Sequence, residues 1–287
     1  MSRAGHKERA PRGSRMFGDR QVLVSTASTI AFFVIIGVIL ARAPGSSVVA
    51  ESFFSVENMK EAFLGTPTTF SVGEMFLLNV KMFLIAEPLI LIFALLIAVI
   101  RQIPGPVFFP FRMVAVVYTD LFRGVPLLLV IYIMGFAVPA LGIQGLSSHS
   151  MVVYGVAALV LSYSAYVAEV YRSGIESVHG SQTAAARSLG LSQLQSLRFV
   201  VVPQAVRRVI PPLLNDFISL QKDTALVAVL GPIEAARAAQ IYGSDTFNYS
   251  SYIVAAALFI LLTVPLARFT DHLIARDKRR RAAGGGR

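Results

Sequence analysis

Six apolar stretches, each near the length of a bilayer-spanning helix, govern what this chain can fold into. They fall at about 22–41, 75–100, 113–138, 151–171, 205–230 and 250–269 of the 287 residues. About 20 apolar residues carry a helix across the hydrocarbon core. None of the stretches alternates as a strand does, and in lipid an open chain satisfies its backbone only as a helix. With 55% hydrophobic and 15% charged residues, polar surface is too scarce for a soluble domain of this length. The expected fold is an all-α integral membrane bundle of about six transmembrane helices. The fifth stretch is the least apolar, interrupted by Pro211, Pro212, Asn215, Asp216, Lys222 and Asp223.

The basic residues orient this bundle, because arginine and lysine accumulate in cytoplasmic loops. With the N-terminus inside, the inner segments hold Arg3, Lys7, Arg9, Arg12, Arg15, Arg20, Arg101 and Arg112. Arg172, Arg187, Arg198, Arg207 and Arg208 add to them, as do Arg276, Lys278, Arg279, Arg280 and Arg281. The outer loops hold only Arg42, Lys60 and Arg237. The net charge of +10 therefore follows from topology and does not point to nucleic acid. The first span imitates a signal peptide, with Ala41-Arg42-Ala43 as an A-x-A site. Pro44 directly after that site favours a retained anchor. An amphipathic helix lying on the membrane surface is expected within Val48–Leu64, and a disordered basic tail from Arg276 onward.

The chemistry of an enzyme is missing from the sequence. No cysteine is present, which excludes disulfides and thiol catalysis. His6, His149, His179 and His272 lack metal-ligand spacing. No G-x-x-x-x-G-K-[ST] phosphate loop occurs, so ATP hydrolysis is expected on a separate subunit and no cofactor is expected.

One loop between spans carries a pattern of its own. Residues 181–203 read SQTAAARSLGLSQLQSLRFVVVP. Gln182 to Leu189 are good helix formers with Ser181 as a plausible N-cap. Gly190 suits the left-handed position that ends a helix. Ser192 and Gln195 spell a capping box that opens a second short helix. Small side chains on the first helix allow close approach to a groove on a partner.

This loop resembles the EAA signature of type I ABC-importer permeases, which docks onto a separate ATPase. The resemblance implies ATPase coupling through Ser181, Gln182, Ala184, Ala185, Ala186, Leu189, Gly190 and Pro203. Ala184 stands where the family usually has glutamate, so an ion pair made by that glutamate in relatives does not carry over.

Four further stretches are similar to the polar amino-acid (histidine and glutamine permease) branch. They are LFRGVPLLL at 121–129, AYVAEVYRSGIESV at 165–178, Pro203-Gln204-Ala205 with Arg207, and PPLLNDFISLQKDTAL at 211–226. The likeness implies a five-helix permease core preceded by one N-terminal helix. The domains are then a basic cytoplasmic N-terminus (1–21), a transmembrane helix (22–41) and an extracytoplasmic segment (42–74). The permease domain follows (75–272), with its coupling loop at 173–204, and a basic cytoplasmic tail ends the chain (273–287). Implied partners are an ABC ATPase, a second permease chain, an extracytoplasmic substrate-binding protein and the lipid bilayer.

Polar groups inside spans are functional candidates by default. A break at Pro211-Pro212 would free carbonyls tolerable only against protein or a wet cavity. Arg123, Asn215, Gln221, Lys222, Asp223 and Thr224 are the candidates for the substrate path. Arg123 can instead pair with Asp120 at helical spacing, and Glu169, Arg172 and Glu176 form an expected ion-pair ladder. An ion-gradient-driven secondary transporter and a non-transporting scaffold subunit are the alternatives to an importer permease.

Overall fold

The computed structural model describes residues 19–103, 105–178 and 180–284. These residues are helical almost throughout, with one isolated bridge between Thr66 and Thr69. The chain divides into two compact units, the first ending at Glu51 and the second starting at Ser52. The first unit contains helix α1, Asp19–Ala41, which is apolar on all sides, the pattern of a helix surrounded by lipid. Helix α2, Ser46–Phe53, runs across the division.

The second unit begins with α3, Val56–Leu64, capped by the Ser55 hydroxyl. The surface helix expected within Val48–Leu64 is thus two short helices. The second of them is anchored in the bundle, burying Ala62 against Val72, Ala235 and Tyr242. Its position is fixed by Tyr242, whose hydroxyl lies within hydrogen-bond distance of Asn58 Oδ1 at 2.8 Å and Glu61 Oε2 at 3.1 Å.

Helix α4, Val72–Gln102, is the long central helix. It packs along α8, Met151–Glu176, through a stripe containing Met82, Phe83, Ala86, Ile90 and Ala94. Small side chains on that stripe let the backbones approach, the usual basis of packing between helices in lipid.

Between them, α5 (Phe109–Gly124) is followed by α6 (Leu127–Tyr132), a π-helical turn (Ile133–Ala137) and α7 (Val138–Ala140). The stretch 113–138, expected as one span, is therefore bent by 109°. The cause lies at Pro126, which cannot donate to the helix ladder. Pro126 also holds Val125 in extended backbone, with φ −97° and ψ 132°.

After α8 come α9 (Gly180–Ser188) and α10 (Gln193–Ser196), a π-helical turn (Leu197–Val201) and α11 (Val202–Asp223). Pro211 and Pro212 lie inside α11 and do not end it. Their cost is limited to two missing N–H donors, and such losses are tolerated where neighbouring helices pack around them. The break in the fifth span comes later. Thr224–Leu230 tightens to a 3-10 helix that Gly231 ends at φ 106°, a conformation open to glycine at little cost.

Helix α12, Ala235–Thr246, then follows at 53° to the preceding segment. This region, expected as part of an outer loop, is therefore helical. Helix α13 runs from Ser250 to Gly284. The disordered tail expected from Arg276 is instead helical as far as the described residues extend.

By length and apolarity, Gln21–Ala41, Val72–Gln102, Met151–Glu176 and Ser250–Arg276 can each cross a membrane. The two bent pairs raise the number to as many as six. In the second unit the Gln102, Glu176 and Val202 ends of α4, α8 and α11 share one end of the bundle. Arg101 reaches Glu169 there, and Val178 packs on Val201 and Ala205.

Candidate functional site

At that end of the bundle, α9 and α10 form a hairpin closed by its own hydrogen bonds. Leu191 N–H donates to Ala186 O at 3.2 Å and Gly190 N–H to Arg187 O at 3.0 Å. This is the double bond of a Schellman motif, with Gly190 left-handed at φ 87°. One residue beyond Leu191 the next helix is capped reciprocally. Ser192 N–H donates to Gln195 Oε1 at 2.9 Å, and Gln195 N–H to Ser192 Oγ at 3.3 Å. The glycine stop and the capping box thus form as the sequence predicts. Among the described residues α9 begins at Gly180, with Ser181 in its first turn.

Of the docking candidates on α9, Ala186 faces inward, whereas Ser181, Gln182, Ala184 and Ala185 are exposed. Leu189 is 84% exposed on the turn. Pro203 is exposed in the first turn of α11. A large apolar side chain held out on a rigid hairpin of small residues suits contact with a partner.

Just above the hairpin, Glu169 gathers three arginines from three helices. Arg101 Nη1 approaches Glu169 Oε2 at 3.0 Å and Arg123 Nη1 at 3.8 Å, and Arg172 pairs with the same carboxylate. Arg172 also pairs with Glu176, completing the expected ladder. Arg123 thus uses Glu169 and not Asp120. Arg101 further donates to Thr119 Oγ1 at 3.2 Å.

Arg123, Glu169, Arg172 and Glu176 line a cleft of about 770 Å³ together with Arg208, Pro212 and Asp216 of α11. Arg208 donates to the Ser177 carbonyl across its mouth. The cleft thus presents both guanidinium and carboxylate groups.

The remaining path candidates divide by environment. Asn215 and Lys222 lie two turns apart on α11 and are exposed. Asp223 accepts a 2.6 Å hydrogen bond from Tyr163. Gln221 and Thr224 are buried: Gln221 Oε1 accepts from Thr263 at 2.6 Å, and Thr224 Oγ1 accepts from Asn79 at 3.2 Å. The structure therefore does not bring all six together.

Sequence reasoning missed Asn79, Tyr163, Glu234 and Thr263. For Asn79 and Glu234 a signal existed: an amide within an apolar run, and an acid directly before a run of helix formers.

Residues 105–279 match the family described as the binding-protein-dependent transport system inner membrane component. The chain belongs to this family. Among relatives of this permease is the probable glutamine ABC transporter permease protein GlnP of Bacillus subtilis. It is 34% identical over 206 residues, covering 70% of this chain and 91% of GlnP. The probable amino-acid ABC transporter permease protein YckA of Bacillus subtilis is 33% identical, covering 58% of this chain and 71% of its own.

Among solved structures, an amino acid ABC transporter crystallised with histidines superposes with a TM-score of 0.65 at 30% identity. That match covers 71% of this chain and 93% of the other. The inward-facing MetNI methionine transporter shares the fold at a TM-score of 0.58 and 15% identity, over 71% of this chain and 95% of its own. The chain is thus a multi-pass membrane permease subunit of an ABC importer, a class that works with an ATPase and a substrate-binding protein. Neither a secondary transporter nor a scaffold subunit is favoured.

Proposed function

We propose that this permease forms half of the pathway for a polar amino acid and is driven through the α9–α10 hairpin. The substrate class is supported by the relatives named for glutamine and amino acids and by the amino acid transporter of similar fold. The observation that carries the coupling role is the self-capped hairpin with Leu189 held outward.

A second permease chain, identical or a sister, faces this one. An ATPase sits beneath α9, and an extracytoplasmic binding protein delivers substrate at the opposite end. Both termini lie in the cytoplasm, a reading supported by the distribution of basic residues. The permease domain spans residues 75–272, with its coupling loop at 173–204. ATP-driven closure of the ATPases brings the hairpins together and opens the pathway outward, and hydrolysis resets it, a rigid-body exchange between two packings.

Reconstitution tests this. Proteoliposomes containing the permease, its ATPase and binding protein take up L-glutamine or L-histidine on ATP, and omission of the ATPase abolishes uptake. Accumulation by the permease alone on an imposed proton or sodium gradient would overturn the reading.

A further inference from the structure

Asn79 stands in the apolar run of α4 and is 1% exposed. Its Nδ2 donates to Thr224 Oγ1 at 3.2 Å and to Glu234 Oε2 at 2.9 Å, and its Oδ1 accepts from Ala235 N–H at 3.1 Å. One side chain therefore holds both sides of the bend in the fifth span: Thr224 opens the 3-10 segment, and Glu234 and Ala235 open α12. Glu234 is fully buried, and its carboxylate also accepts from Ala236 N–H at 2.9 Å and Arg237 N–H at 2.7 Å.

A buried carboxylate with these donors is held firmly, because each lost donor leaves charge unsolvated in a weak dielectric. The network continues on the other side. Thr224 donates to Gln221 O at 2.8 Å, and Gln221 is tied to Thr263 of α13. Glu234 alone would cap α12. Among the described residues, Asn79 supplies the side-chain hydrogen bonds that tie that cap, and the start of the 3-10 segment, to the central helix.

We propose that Asn79 is a positioning residue for transport. Held by α4, it fixes the angle at which α11 gives way to α12, and so aims the turn Lys222–Thr224 at the pathway. The role rests on the reading that this turn lines the pathway.

Two measurements on the assembled complex test it. Asn79→Leu is expected to lower the maximal rate of L-glutamine or L-histidine uptake about tenfold, at unchanged complex yield. The chain has no native cysteine, so a Lys222→Cys reporter reads the turn directly. Its rate of reaction with a thiol reagent is expected to change about threefold when Asn79→Leu is added.

Exchanging the two groups, Asn79→Asp with Glu234→Gln, restores a bond between them and is expected to recover uptake to within about threefold of wild type. Asn79→Ser, too short to span both partners, takes the place of Asn79→Leu if the latter does not assemble. Unchanged labelling and unchanged uptake overturn the positioning role of Asn79. Changed labelling with unchanged uptake overturns the pathway assignment of the turn, and with it the positioning role. Failure of the exchange to recover uptake overturns the pairing as the cause.

Discussion

The phenol of Tyr163 donates a 2.6 Å hydrogen bond to the carboxylate of Asp223, joining the middle of α8 to the last residue of α11. The Lys-Asp step at 222–223 is thereby split. Asp223 is held by a neighbouring helix, whereas Lys222 is exposed beside it. A donor to a charged group contributes about 1.5–3 kcal/mol. Tyr163→Phe is expected to lower the thermal midpoint of the purified complex and to cut uptake about tenfold. A midpoint equal to that of wild type would show that this bond does not hold the turn.

The two carboxylates of the ion-pair ladder should differ in what they support. Glu169 faces Arg101 with side-chain exposures of 21% and 14%, whereas Glu176 is 52% exposed. Glu169→Gln leaves a guanidinium without its counter-charge and is expected to cost about 1–3 kcal/mol. Glu176→Gln, screened by water, is expected to cost less than about 1 kcal/mol. Denaturation midpoints of the two variants check the order, and equal losses would remove Glu169 as the organising carboxylate.

Gly190 tests the docking hairpin. A side chain in its left-handed conformation costs about 1–2 kcal/mol, and the turn around it opens to solvent with nothing near enough to compensate. Gly190→Glu is expected to abolish co-purification of the ATPase while membrane insertion persists. Ala184→Glu, at an exposed position of α9, is expected to be tolerated. Normal ATPase recovery with Gly190→Glu would place the docking surface elsewhere.

On the proposed pathway, exposure should separate path residues from framework residues on α11. Asn215 is exposed and Gln221 is 2% exposed, bonded to Thr263. Asn215→Ala is expected to change the KM for uptake about threefold or more with the denaturation midpoint unmoved. Gln221→Ala is expected to destabilise the complex by about 1–3 kcal/mol. The opposite pattern would assign Asn215 to packing.

Sidedness can be read with single cysteines. A membrane-impermeant maleimide is expected to label Ser192→Cys in inside-out vesicles and not in intact cells. Labelling from outside would invert the bundle.

What was legible in the sequence divides along physical lines. Gly190 and the Ser192–Gln195 box act through bonds spanning at most five residues, so their spacing alone announces them. The Glu169–Arg172–Glu176 ladder is legible for the same reason. Arg123 pairs instead with a carboxylate that the fold brings from α8, and no local spacing foretells such a partner. Asn79 and Glu234 meet across 155 residues. The prolines misled in opposite directions. Pro126 bends its span because Val125 leaves helical backbone, whereas Pro211 and Pro212 are accommodated within α11.

From Gln193 to Asp223, α10, the π-helical turn and α11 follow one another without a coil residue. At about 1.5 Å per residue this is a continuous helical path of roughly 45 Å. Its foot is the capped Ser192 turn, and its tip is the bond to Tyr163. On the proposed coupling role, a stroke applied at the hairpin meets no slack chain before Lys222 and Asp223. On that reading, the stiffness of this helical path sets how much of an ATPase displacement reaches the Tyr163–Asp223 bond.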